Sequence, residues 1–305
     1  MDKDGYLFKG YISGTKIPVA IKELLVNTHQ YNLYRRAYEF MKYLDHPNIH
    51  KCLGCVDIDV GQENESEGAK CYAIMGTELA NGEQLNNWIV DRKVFNEFVV
   101  RKIMKRILAA VNYLHKKSIL HGNIQPTSVI LDGSIDESAI IDGSFKVQVL
   151  LTDFSLATKR KKGKTGLEID KSKDVYLNEI ENIKSVCLPE GSLNYCAPEI
   201  LNSQSYGYAA DMWSVGVLLF VLLGGYHPFT MNSDFQTAYN IETHSYAFDN
   251  DLGWSAVSDN AIDMIKQLLE MDPNKRLTAS EAMGHPWIKN SRLKSPKLSS
   301  KFTQK

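Results

Sequence analysis

Around residue 220 the chain runs Val215-Gly216-Val217-Leu218-Leu219-Phe220-Val221-Leu222-Leu223 without one polar side chain. A helix that is apolar all round has no face to give to water, so it must lie inside a domain or a bilayer. This run is about half of the roughly 20 residues that a bilayer needs. The pattern predicts a helix buried in the middle of a domain with other elements packed round it. At 305 residues the chain is long enough for one large domain or two lobes. Its 44% hydrophobic and 23% charged content is ordinary for a globular protein. A net charge of −1 gives no reason to expect nucleic acid or a membrane as partner. Five cysteines are an odd number without disulfide spacing, which points to a reducing, cytoplasmic setting. The charged Met1 end has no apolar leader region. Cys52-Leu53-Gly54-Cys55 has the spacing of half a zinc site, but Cys71, Cys187 and Cys196 are scattered, so it reads as a strand with two incidental thiols.

Local patterns divide the chain further. Tyr6–Gly10 and Pro18–Lys22 read as strands joined through a turn at Ser13-Gly14. Tyr31–Leu44 reads as a helix, Asp57–Lys70 as a polar loop, and Tyr72–Ala80 as a buried strand running into a linker. From Val94 to His115 the residues Phe98, Ile103, Ile107, Leu108, Val111 and Leu114 recur at helical spacing. Phe145–Leu151 reads as a strand. The basic run Lys159-Arg160-Lys161-Lys162-Gly163-Lys164 reads as a solvated loop.

Several motifs in order resemble those of eukaryotic protein kinases. Val19-Ala20-Ile21-Lys22 is similar to the strand whose Lys reaches the nucleotide phosphates. Asp45-His46-Pro47-Asn48-Ile49 follows a helix as it does in that family. His121-Gly122-Asn123-Ile124-Gln125-Pro126-Thr127-Ser128-Val129 resembles the catalytic loop, and Asp153-Phe154-Ser155 the metal-binding Asp-Phe-Gly. Gly191–Glu199 matches Gly-Thr-x-x-Tyr-x-Ala-Pro-Glu, and Asp211-Met212-Trp213-Ser214-Val215-Gly216 matches Asp-x-Trp-Ser-x-Gly. Phe248–Ile288 is most similar to the calcium/calmodulin-dependent group, of Ser/Thr type.

The resemblance implies an α+β, bilobal kinase fold. Residues 1–80 would form a small β-rich N-lobe whose first strand is missing. Residues 81–290 would form a large helical C-lobe with an activation segment over 153–199, and 291–305 a basic, Ser-rich tail. It implies ATP and Mg²⁺ as cofactors. Gly5, Leu7, Lys22 and Ala20 would face the nucleotide, Thr77 would stand at the gatekeeper position, and Glu78 to Ala80 would offer backbone groups to the adenine. Asp153 would hold metal, with Ser128 at the family's second metal-ligand position. His121, Asp211, Glu199 and Arg276 would be architectural: Asp211 accepts from the catalytic-loop backbone, and Arg276 pairs with Glu199.

The same alignment shows departures. Asn123 stands for the catalytic Asp, Gln125 for the Lys, Ser128 for the metal-binding Asn, and Gly122 for the Arg that docks activation-loop phosphate. The helix Glu that pairs with Lys22 falls at Ala37, and Glu39 lies roughly 200° round the helix. Asp2 falls at a Gly of the phosphate-binding loop. Asn123 keeps the shape of Asp but cannot take a proton, and losing a general base costs about 10²–10⁴-fold. Retained framework with lost chemistry implies a pseudokinase that acts by binding a protein partner or a larger assembly. A divergent active Ser/Thr kinase and a nucleotide-binding structural module are the alternatives. Ser291–Lys305 shows no calmodulin site.

Overall fold

The computed structural model describes residues 6–25, 29–59, 71–90, 96–133, 148–163, 166–169, 192–202 and 206–289. The expectations for Asp2, Gly5 and the 291–305 tail lie outside them.

The N-terminal lobe is one antiparallel sheet and one helix. Strand β1 (Tyr6–Tyr11) turns back into β2 (Pro18–Leu25), followed by α1 (His29–Met41), β3 (Cys52–Asp59) and β4 (Cys71–Glu78). Their order is β1-β2-β4-β3, so β1 is an edge among the described residues. Cys52 and Cys55 lie on β3 as free thiols, across a register shift that falls between Cys52 and Gly54.

The C-terminal lobe begins with β5 (Glu83–Gln84), α2 (Leu85–Val90) and α3 (Glu97–Lys116). The sequence pattern places the start of α3 at Val94. The structure starts it at Glu97 because the Asn96 side chain accepts from the Val99 N–H and caps the first turn. Val99, Val100, Ile103, Met104, Leu108, Val111 and Leu114 are wholly buried, the inward stripe that the 3.6-residue period predicts. Short strands β6 (Ile119–Leu120), β7 (Val129–Asp132) and β8 (Gln148–Leu151) surround the loop at 121–128, and β7 pairs with both β5 and β8.

Strands β9 (Thr158–Gly163) and β10 (Gly166–Ile169) follow, with β9 between β6 and β10. Most of the basic run is therefore strand rather than loop. Backbone pairing on both edges of β9 supplies what its polar sequence does not signal.

The remaining helices are α4 (Pro198–Leu201), α5 (Tyr208–Gly224), α6 (Asp234–Glu242), α7 (Asp259–Leu268), α8 (Ala279–Gly284) and α9 (Pro286–Lys289). As the apolar run predicts, α5 is the buried axis: Trp213, Val215, Val217, Leu218, Leu219 and Phe220 have no exposed surface. A Cβ on Gly216 would come within 2.9 Å of Leu268 and Leu269, so glycine lets α7 pack directly on α5. Trp213 stacks on Phe229 at 5.4 Å. Among the described residues no helix is long and apolar enough to cross a membrane.

Candidate active site

Asp211, in the first turn of α5, is wholly buried and organises the loop above it. Its Oδ2 accepts from the His121 N–H at 2.9 Å and from His115 Nε2 at 2.8 Å, and its Oδ1 accepts from the Gly122 N–H at 2.8 Å. Burial raises the carboxyl pKa, but the His115 hydrogen bond and charge, together with His121 and the Gly122 N–H, outweigh it, and the net shift is downward. His121 accepts from the Asn123 N–H at Nδ1, so the ring proton sits on Nε2, which donates to Thr152 O at 3.0 Å. Burial holds the ring neutral by lowering its pKa. Gly122 has φ +78°, and a Cβ there would lie 2.8 Å from Leu156 O.

A buried ion pair braces the same lobe. Arg276 Nη1 and Nη2 donate to the two Glu199 oxygens at 2.7 and 3.0 Å, and the guanidinium lies over the Trp213 ring. The bidentate fork, with further bonds to Ala209 O and Glu270 O, satisfies a charge that water cannot reach.

The loop residues at the altered positions contact one another. Asn123 Nδ2 donates to Asp153 Oδ2 at 2.7 Å, and Gln125 Nε2 donates to Asn123 Oδ1 at 2.9 Å. Ser155 Oγ donates to the other oxygen of Asp153 at 2.6 Å, with the Ser155 N–H on the same atom at 3.3 Å. Both oxygens of Asp153 are thus held by donors of this chain. Ser128 lies elsewhere: its buried hydroxyl donates to Gln125 O and accepts from the Gln125 N–H. The reading of Ser128 as a metal ligand is therefore corrected, because that hydroxyl closes the loop's own 3-10 turn. A two-metal site needs several hard oxygen ligands. One carboxylate with both oxygens engaged does not fit it.

The nucleotide-side residues share one face of the sheet. Leu7 faces Lys22, which faces Met75, and Ala20 faces Thr77. Directly opposed residues project to the same side, so Leu7, Ala20, Lys22 and Thr77 are brought together. Lys22 has no carboxylate within ion-pair distance among the described residues. Its ammonium instead takes Tyr34 of α1, hydrogen-bonding the hydroxyl and lying over the ring at 4.1 Å. Tyr34 is one helical turn before the buried Ala37, and that three-residue spacing was the available sequence signal. Glu39 points away, exposed and paired with Lys42 at 2.6 Å. Helix α1 is held to the site by another route, Arg36 Nε donating to Ala157 O at 3.0 Å.

The linker departs from expectation at Glu78. Its N–H donates to Lys51 O, and its C=O bonds the His50 ring at 2.9 Å. Both backbone groups of Glu78, one of the three residues expected to offer backbone groups to the adenine, thus have partners in the chain. His50 is a site neighbour that the sequence pattern did not single out. Ala80 follows Glu78 in the linker, partly buried.

A sheet lobe over a helical lobe, a loop hung from a buried Asp, and an Arg–Glu brace behind it recur together in one known family. The protein kinase domain matches residues 3–288. The chain belongs to the protein kinase family. It is 32% identical over 259 residues to calcium-dependent protein kinase 3 of Plasmodium yoelii yoelii, covering 85% of this chain and 40% of the relative. Calcium-dependent protein kinase 3 of Plasmodium berghei (strain Anka) matches at the same identity, with 39% of its length covered. The chain thus spans about two-fifths of the curated relatives it matches. The crystal structure of the Rad53 kinase domain and SCD2 is similar at TM-score 0.67 and 25% identity, covering 96% of this chain and 91% of that one. The relation is to Ser/Thr kinases of the calmodulin-dependent type, and the bilobal kinase fold is that of the family.

Proposed function

We propose that this kinase-family chain is a pseudokinase: a binding or scaffolding module with weak or no phosphotransfer. The observation that carries this reading is the Asn123 amide donating to Asp153 Oδ2 at 2.7 Å. In an active kinase the residue at 123 accepts the substrate hydroxyl proton, and the residue at 153 holds metal against the phosphates. Here the first is an amide that is not basic, and it is spent on the second. Ser155 occupies the remaining oxygen, and Lys22 is held by a phenol rather than a carboxylate. The binding role draws support from the frame, since Asp211, His121, Glu199 and Arg276 keep their contacts while the chemistry is lost.

The testing experiment is a thermal-shift titration of the chain with ATP, with and without Mg²⁺, followed by transfer of labelled γ-phosphate to a generic Ser/Thr protein substrate. The expected outcome is no magnesium-dependent stabilisation and no transfer above a Lys22→Met control. Transfer that depends on Lys22 would overturn the reading. It would favour a divergent active kinase, for which the retained Lys22 on β2 and Asp153 after β8 speak. Stabilisation by ATP without transfer would favour a nucleotide-binding structural module.

A further inference from the structure

Behind α1, away from the nucleotide face, a groove of about 300 Å³ opens between the end of that helix and the β6–β9 pair. Its apolar lining is Phe40, Tyr43, Leu44 and Ile119, and its cations are Lys117 and Lys159. Pockets that hold ligands begin at roughly this size. The space suits one large apolar side chain and is too small for the whole face of a helix.

The rim carries two cations. Lys117 and Lys159 are both exposed, and neither has a carboxylate within ion-pair distance among the described residues. Glu39 is the acidic residue of the lining, and Lys42 already neutralises it. Tyr43 is 71% exposed, with the Lys42 ammonium 4.9 Å from its ring centroid. Complementarity of charge selects among occupants and penalises like-charged ones. The lining sets these two lysines beside an apolar floor, a combination that favours an apolar side chain next to carboxylates.

We propose that this groove docks a protein partner through an apolar side chain flanked by carboxylates. Such a segment would touch α1 and the strand that leaves Asp153 at once, because Lys159 is paired across the sheet with Ile119. The groove therefore reads the relative position of the two elements that Arg36 ties together through Ala157 O. This names the partner chemistry of the proposed binding role and rests on that role for its purpose, while peptide binding itself is measured without nucleotide. Failure here would leave the catalytic reading untouched, and detected phosphotransfer would leave the groove untouched.

The test uses the full chain and fluorescein-labelled pentapeptides in a polarisation assay. Asp-Glu-Phe-Asp-Glu is the probe, with Asp-Glu-Gly-Asp-Glu and Lys-Lys-Phe-Lys-Lys as controls. The probe is expected to bind at least about tenfold more tightly than either control. Tyr43→Ala, and Lys117→Glu with Lys159→Glu, are each expected to lower its affinity about tenfold, with the melting temperature unchanged because these side chains are exposed. Lys117→Arg with Lys159→Arg is expected to retain binding. No binding up to about 1 mM, or binding that survives charge reversal, would overturn the proposal. So would a gain in probe affinity on replacing residues 174–183, which carry Asp174, Glu179 and Glu181, with Gly-Ser, since that would assign the groove to this chain's own carboxylates.

Discussion

Asn123 Nδ2 lies 2.7 Å from Asp153 Oδ2, and the two side chains form a neutral-to-charged hydrogen bond where the family has two carboxylates. With Asp at 123 the pair would repel unless a cation or a proton came between them. With Asn the pair is satisfied by itself, and Gln125 and Ser155 complete the arrangement. The side chains at 123, 125, 153 and 155 therefore satisfy one another's hydrogen bonds.

Asn123→Asp is expected to destabilise the chain by about 1 kcal/mol at pH 8, a modest value because Asp153 is exposed and water screens it. One carboxyl of the new pair has its folded pKa raised above its unfolded value. The deficit should therefore grow as pH rises through that folded pKa and shrink towards pH 5. Urea unfolding at pH 5 and pH 8 measures it, and an equal deficit at both would contradict the account.

Gly122→Ala is expected to cost about 1–2 kcal/mol, since φ +78° is a left-handed conformation and the added Cβ meets Leu156 O. Gly122→Arg, which reinstates the family residue, should cost no less. The urea midpoint reports this, and an unchanged midpoint would show that the loop relaxes freely.

Glu199→Ala leaves a guanidinium with no exposed side-chain surface and no counter-charge. Loss of one partner of such a pair costs about 3–5 kcal/mol. Glu199→Leu combined with Arg276→Met should cost less than Glu199→Ala alone. A double-mutant cycle in chemical denaturation decides it.

Acid should unfold the chain in two stages. Burial holds His121 neutral with a depressed pKa, and His46 and His227 shift the same way for the same reason. The unfolded chain then binds more protons, so their contribution is present above about pH 6.5 and declines as pH falls below it. Asp211 is depressed in the folded state despite its burial, chiefly by His115. Its contribution is present above about pH 4 and is lost as pH falls through its folded value. Unfolding free energy measured from pH 7 to pH 3 should fall across both windows, and a flat profile between pH 7 and pH 5 would refute the first.

Much of the fold was legible because it depends on local pattern. The apolar run at 215–223 has nowhere to lie except inside a domain, and α5 is buried as that requires. The spacing of Ile103, Ile107, Val111 and Leu114 made α3 readable, and the motif series placed Asp211 and Arg276 as braces. Boundaries were less legible, since the start of α3 turned on one cap, Asn96. The strand β9 was hidden because its own residues are polar and one of its two partners, β6, is distant in sequence.

The identities at 123, 125, 128 and 37 are matters of sequence, and by themselves they determine which chemical groups the site lacks. Where the remaining groups turn was decided only by tertiary structure. Asn123 meets Asp153, Tyr34 meets Lys22 and His50 meets Glu78 because separate elements are packed within hydrogen-bond reach. A polar group buried by that packing must find a partner or bear the full cost of desolvation, and which partner is nearest is set by the packing of the elements.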